Sequence, residues 1–266
     1  MKEILKDVQN EPDARKLEIQ RVGIKGIKYP IYVLDKLNKY QHTIATIEIG
    51  VDLPHHFKGT HMSRFIEIIN SYRKGIAVKN FKEILLAIKK RLHAKSSYLA
   101  IEFPYFIEKK APVTKSKSLM SYNCTFSGTL GESFDFFLEV NVPVTTVCPC
   151  SKSISLDGAH NQRGNVKVKI RSEGLVWIED IVQIIESSAS CDIFAILKRA
   201  DEKYVTEKAF SNPMFVEDIV REVALRLMED KKIIWFSVEA ENYESIHNHN
   251  AYAFIERKRD GFGRFE

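Results

Sequence analysis

Val166-Lys167-Val168-Lys169-Ile170-Arg171 alternates apolar and charged side chains without a break. Successive side chains of a strand point to opposite faces, so this segment reads as a half-buried antiparallel strand. Downstream, Ile178, Ile181, Val182 and Ile185 recur at helical spacing. A second helical stripe over residues 215–228 carries Val216, Ile219, Val220, Val223 and Leu227. Asn212-Pro213 is its expected start, a capping side chain followed by a φ-locked residue. Residues 233–240 and 251–255 read as closing strands, and residues 134–144 as the strand that precedes them all.

The first half of the chain runs in the same order. Residues 24–34 and 44–53, rich in Ile, Val and Tyr, read as strands. Met62, Phe65, Ile66, Ile69 and Tyr72 line one helical stripe; Phe81, Ile84, Leu85, Ile88 and Leu92 line the next, with Asn80 as its expected N-cap. Strands over 98–107 and 119–130 follow. Each half is therefore strand-strand-helix-helix-strand-strand, a repeat of order and not of residues. The fold class is α+β, with each unit laying a helix pair on one face of an antiparallel sheet. The expected division is a polar arm over 1–18, one module over 19–130 and a second over 131–266. Exposed sheet edges need partners, so an oligomer closed edge to edge is expected. Residues 145–164 and 189–214 read as long loops, and such loops often carry function.

Composition sets outer bounds. The chain has 266 residues, a net charge of +5 and 44% hydrophobic residues, enough for a sizeable core. Its pI near 8.8 suits a soluble surface and also an affinity for anions such as nucleotide phosphates. No apolar run reaches the ~20 residues of a membrane span. Residues 1–15 are charged and have no apolar signal core, so the expectation is cytoplasmic, with no membrane partner. In that compartment Cys124, Cys148, Cys150 and Cys191 are not expected to form disulfides.

Four clusters could carry chemistry. Cys148-Pro149-Cys150-Ser151-Lys152 followed by His160-Asn161-Gln162-Arg163-Gly164 combines thiol and imidazole, the ligands zinc prefers. Cys-x-Cys alone is equally two thiols at a strand end. Glu244-Ser245-Ile246-His247-Asn248-His249 puts both histidines on one side of an extended chain beside a carboxylate, a metal-binding face or a polar turn. The segment from His55 to Arg64, with Lys58 and Arg64, enters a helix whose free N–H groups suit a phosphate; it also reads as an ordinary capped helix start. Asp201 and Glu202 form an acidic segment, and Glu217 and Asp218 open a helix, where carboxylates complement the dipole. A buried one could instead accept the two N–H donors of a guanine edge.

KGTHMSRF (58–65), VPVTTVCPCSK (142–152), HNQRG (160–164), DEKYVTEKAF (201–210), NPMFVED (212–218) and ENYESIHNHNAY (241–252) occur in this order. In these motifs, over about residues 44–255, the chain resembles the type IB GTP cyclohydrolases. The resemblance implies a tunnelling fold with two modules per chain and a homotetramer with active sites between subunits. It implies conversion of GTP and water to 7,8-dihydroneopterin triphosphate and formate, the entry to tetrahydrofolate, through metal-activated water at purine C8. In some bacteria this family also feeds tRNA modification. By position, Cys148 matches the essential cysteine and a metal ligand, with His160 and Glu202 as companions. Glu244, His247 and His249 resemble an alternative or adjacent ligand set, which would admit Mn²⁺ or Fe²⁺ besides Zn²⁺. Glu217 matches the glutamate that anchors guanine. Lys58, Arg64, Lys152 and Arg163 are expected at the triphosphate on charge, and His61 as a proton shuttle.

Two other readings compete. A nitrile reductase on the same scaffold would use the cysteine and NADPH without metal; His160 and the His247-x-His249 pair argue against it. A non-catalytic zinc or nucleic-acid module is disfavoured because the basic residues are dispersed and no aromatic-basic RNA-binding motif occurs. No nucleic-acid partner is expected.

Overall fold

The computed structural model describes residue 9, residues 11–72 and residues 78–266. Of the arm expected over 1–18, residues 1–8 and 10 lie outside the described residues. The elements are β1 (Ile19–Asp35), β2 (Lys39–Leu53), α1 (Met62–Tyr72), α2 (Val78–Arg91), β3 (Ser97–Lys110), β4 (Lys117–Leu130) and β5 (Phe134–Val147). They continue as α3 (Pro149–Ile154), β6 (Asn161–Ser172), α4 (Ile178–Ser187), β7 (Cys191–Asp192), α5 (Arg199–Ser211), α6 (Val216–Glu229), β8 (Ile233–Asn242) and β9 (Ala251–Lys258). Hydrogen bonding orders the strands β1-β2-β3-β4-β5-β6-β8-β9, with β7 beside β5.

The chain divides into two compact units, Met1–Phe103 with Thr125–Phe137, and Pro104–Cys124 with Leu138–Glu266. In the first, β2 pairs antiparallel with β1 and β3. Ile47, Ile49 and Val51 of β2 and Leu99, Ile101 and Phe103 of β3 are buried, as alternation requires. Phe65, Ile68 and Ile69 of α1 and Phe81, Ile84, Leu85 and Ile88 of α2 are the buried stripes of their helices. Rings close this core, with Phe81 5.0 Å from Phe136 and Phe103 4.9 Å from Phe126. Burial of each such side chain stabilises by about 1.5–3 kcal/mol.

In the second unit, β6 lies between β5 and β8, with Val168 opposite Val140 on one side and Val238 on the other. Val166, Val168 and Ile170 are buried, while Lys167 reaches Glu239 at 2.7 Å. α6 packs on β8 and β9 and against α4. It buries Val216, Ile219, Val220, Val223, Ala224 and Leu227, and α4 buries Ile178, Ile181, Val182 and Ile185.

Three sequence expectations need correction. Asn80 is not an N-cap: α2 already runs from Val78, so Asn80 sits in its first turn. Asn212 does not start α6. Its N–H bonds to Ala209 O and it closes α5, while Phe215 is the N-cap, with the carboxylate of Asp218 accepting from the Phe215 N–H at 3.0 Å. The two long loops are largely structured. β5 runs on to Val147, α3 follows, and β6 starts at Asn161, while 189–214 contains β7 and all of α5. α5 escaped the periodicity because its only buried residues are Asp201 and Ala209, so it has no apolar stripe.

Candidate active site

Cys148 follows the last residue of β5 and caps α3. Its backbone is extended (φ −70°, ψ 120°), Pro149 opens the helix, and its Sγ accepts from the Ser151 N–H at 3.4 Å. Two bonds fold the chain back: the Cys148 N–H donates to His160 O at 3.1 Å, and the His160 N–H donates to Ser151 Oγ at 3.1 Å. Cys148 and His160 are thereby stitched together at adjacent strand ends, where Val147 of β5 pairs with Asn161 of β6. Cys148 is half-buried and Cys150 is exposed.

Past the end of β8, the Tyr243 N–H donates to Arg163 O at 2.9 Å, which holds the start of the 243–250 loop against β6. The carboxylate of Glu244 then faces His160, with Oε2 3.9 Å from Nδ1. The side chains of His160 and Glu244 are 16% and 10% exposed, and Glu244 Oε2 is buried with no hydrogen-bond partner among the described residues. A buried carboxylate oxygen left unpaired is costly. A thiol, an imidazole and an orphaned carboxylate oxygen form a donor set that fits a borderline divalent metal such as zinc. Among the described residues of the single chain, no group of three or more His, Cys, Asp or Glu side chains is placed to hold a metal ion.

The other expected site residues lie as follows. His247 and His249 are exposed on the 243–250 loop, their rings stacked at 5.2 Å and 13°, on one side of the chain as alternation requires. Glu202 is exposed in the first turn of α5, and among the described residues no hydrogen bond or ion pair joins it to Cys148 or His160. Its neighbour Asp201 is the buried carboxylate. It accepts from the N–H groups of Val113, Thr114 and Lys198 at 2.8, 2.9 and 3.0 Å and from the Thr114 hydroxyl at 2.6 Å. Burial works to raise its pKa, and these donors outweigh it, holding the carboxyl well below its ordinary value. Glu217 is exposed in the first turn of α6, at a cleft shared with Arg221 and with Phe254 and Arg257 of β9. Lys152 donates to Phe210 O, and Arg163 is exposed. In the other unit, Lys58 pairs with Glu11 at 3.5 Å, while His61 and Arg64 stand half-buried at the start of α1.

Sequence reasoning missed two polar clusters. One is the pair Thr146 and Gln162, both buried, beside His160. Gln162 lies within a motif already singled out, but nothing in its spacing marks a partner. The other centres on Lys109, whose Nζ donates to Glu186 Oε1 (2.9 Å), Asp192 Oδ2 (2.9 Å) and Ile193 O (2.8 Å), which uses all its N–H groups. Tyr122 also donates to Glu186, and Lys208 donates to Asp192. Burial raises the Glu186 carboxyl against the pull of Lys109; for Asp192 burial also acts upward, but Lys109 and Lys208 win and lower it. Burial pushes the Cys191 thiol up to about 11. The Glu186 and Asp192 partners lie 77 and 83 residues from Lys109, so no local pattern announces them.

Comparison with known proteins places this geometry in a family. The family described as type I GTP cyclohydrolase folE2 matches residues 5–253. The chain is 58% identical over 253 residues to GTP cyclohydrolase FolE2 of Geobacter sulfurreducens, covering 95% of this chain and 98% of that one. It is also 58% identical over 253 residues to the FolE2 protein of Syntrophus aciditrophicus, covering 95% and 99%. Among solved structures it resembles uricase from Arthrobacter globiformis (TM-score 0.54, 8% identity, covering 91% and 94%). It resembles a highly active mutant of Bacillus sp. TB-90 urate oxidase similarly (TM-score 0.54, 9% identity, covering 90% and 100%). At that identity the likeness concerns the fold alone, which is the tunnelling fold.

Proposed function

The chain belongs to the type I GTP cyclohydrolase family of the FolE2 kind, and from that premise we propose how its residues serve the reaction. It is a GTP cyclohydrolase, acting on GTP and water to give 7,8-dihydroneopterin triphosphate and formate at the entry to folate biosynthesis. The finer designation read from its motifs, the type IB metal-promiscuous form, is part of the proposal.

The observation that carries the site is the buried Oε2 of Glu244, without a hydrogen-bond partner among the described residues, beside His160, itself stitched to Cys148. Cys148, His160 and Glu244 would hold a divalent metal, Zn²⁺ first and Mn²⁺ or Fe²⁺ as alternatives. Glu202, His247 and His249 would complete or alternate in the shell. When bound, the metal supplies the charge that acidifies water for addition at purine C8. The Glu217 carboxylate accepts two N–H donors of the guanine edge and so orients the ring. Lys58, Arg64, Lys152 and Arg163 neutralise the triphosphate, and His61 carries a proton to or from the opening ring.

These side chains are expected to meet in a homotetramer with sites between subunits. β1 and β9 end the strand order as edges, and Tyr252 on β9 is 60% exposed. Module limits at 19–130 and 131–266 and a cytoplasmic location are proposed on the same footing. Among the described residues no helix is long and apolar enough to cross a membrane.

The test compares GTP kinetics of the wild type and Glu217→Ala, following formate and pterin fluorescence. KM for GTP should rise about 100-fold, the loss of a charge-assisted pair worth about 3 kcal/mol, with metal content unchanged. An unchanged KM would remove Glu217 from the guanine pocket.

A further inference from the structure

His160 Nδ1 lies 3.0 Å from Gln162 Oε1, Gln162 Nε2 lies 3.0 Å from Thr146 Oγ1, and Thr146 Oγ1 lies 3.4 Å from Gln162 O. The last atom is a backbone carbonyl, which only accepts. It therefore fixes the direction of the whole chain. The Thr146 hydroxyl donates to Gln162 O, which leaves Oγ1 to accept from the Gln162 amide nitrogen. That turns the amide oxygen toward the imidazole, and Nδ1 must carry the proton it accepts. Thr146 and Gln162 are buried, at 0% and 9% exposure, so water does not compete for these bonds. The Glu244 carboxylate, the other acceptor near this proton, stands too far at 3.9 Å.

We infer that Gln162, itself locked by Thr146, is a positioning residue that holds neutral His160 with its proton on Nδ1 and its lone pair on Nε2. Neutral imidazole in water prefers the opposite tautomer, so the clamp presets the nitrogen that His160 offers to a ligand. Hydrogen bonds of this kind orient imidazoles for metal binding, and their loss typically weakens metal affinity by about 10–100-fold. The inference rests on the metal reading of Cys148, His160 and Glu244. It adds a cause for the ring's orientation and a residue that no local motif assigns to it.

The experiment uses the full-length, chelator-stripped protein labelled with ¹⁵N-histidine, whose ring nitrogens report the tautomer by NMR without metal or substrate. Zinc affinity is measured in parallel by competition with a chelator. The wild type should show His160 protonated on Nδ1. Gln162→Leu should move the proton to Nε2 and weaken zinc about 10–100-fold. Gln162→Glu should restore both, since a carboxylate accepts from Nδ1 while the Thr146 hydroxyl rotates to meet its other oxygen. Thr146→Val frees the amide to flip and should give a mixture of tautomers, which keeps the test open if the leucine variant folds poorly. A wild-type proton on Nε2, or full zinc affinity in a folded Gln162→Leu, would overturn the clamp. A wild type that carries the Nδ1 proton yet binds no zinc confirms the clamp and overturns the metal reading instead.

Discussion

Cys148 has two separable jobs. Its sulfur caps α3 by accepting from Ser151 N–H, and its thiol belongs to the proposed site. Serine is a better N-cap than cysteine and cannot replace a thiolate. Cys148→Ser should leave the melting temperature within about 2 °C of wild type while turnover falls on the order of 10²–10⁴-fold. Near-normal turnover in the folded Cys148→Ser variant would contradict the chemical role of the thiol. Asp201 illustrates the opposite outcome at the same scale. It sat in a motif that reads as functional, beside the expected ligand Glu202, and it is a structural anchor for residues 113–114 and the start of α5. Its carboxyl is held below its ordinary value of 3.8, so its stabilisation is fully present above that value and is lost as pH falls below it. The melting-temperature gap between wild type and Asp201→Asn should stay constant from about pH 8 to about pH 5 and narrow below about pH 4. A gap of the same size at pH 3 would contradict the anchoring role. The motifs thus offer Cys148, His160 and Glu244 as candidates by residue type, but Asp201 and Gln162 show where sequence stops. Which of two neighbouring polar side chains is buried depends on contacts made by other segments.

Strands and stripes with regular burial were legible because one physical cause, an apolar face, repeats along them. β6 and α6 are the clearest cases. α5 has no such face, and α3 spans only six residues, so both were read as loop. The join between β6 and β8 carries a further constraint at Gly164. A Cβ there would sit 2.6 Å from Asn242 Oδ1 and 3.2 Å from Glu241 O. Asn242 is buried at the end of β8, two residues before Glu244. Gly164→Ala should therefore cost about 1–3 kcal/mol in urea unfolding by overpacking and displace Glu244. Turnover in the folded variant should then drop at least about 10-fold, the scale set by ligand misplacement. Stability loss with unchanged turnover would show that the strand end does not position Glu244.

For the whole molecule, the repeat of order made the α+β class legible, and the tunnelling fold came from the motif resemblance, with which that repeat agrees. The assembly was inferred from unpaired sheet edges. In solution the protein should scatter light with a mass about four times its 30.6 kDa chain. Tyr252→Glu on the β9 edge should lower that mass and turnover together, whereas a fully active monomer would contradict shared sites. The account's central claim is that Cys148, His160 and Glu244 hold a metal on which GTP ring opening depends. The most direct test is GTP turnover by chelator-stripped protein, with Zn²⁺, Mn²⁺ or Fe²⁺ restored one at a time. Formate and pterin fluorescence should be absent without metal and return on addition, and Cys148→Ala should stay silent throughout. Full turnover by the stripped protein would contradict the claim.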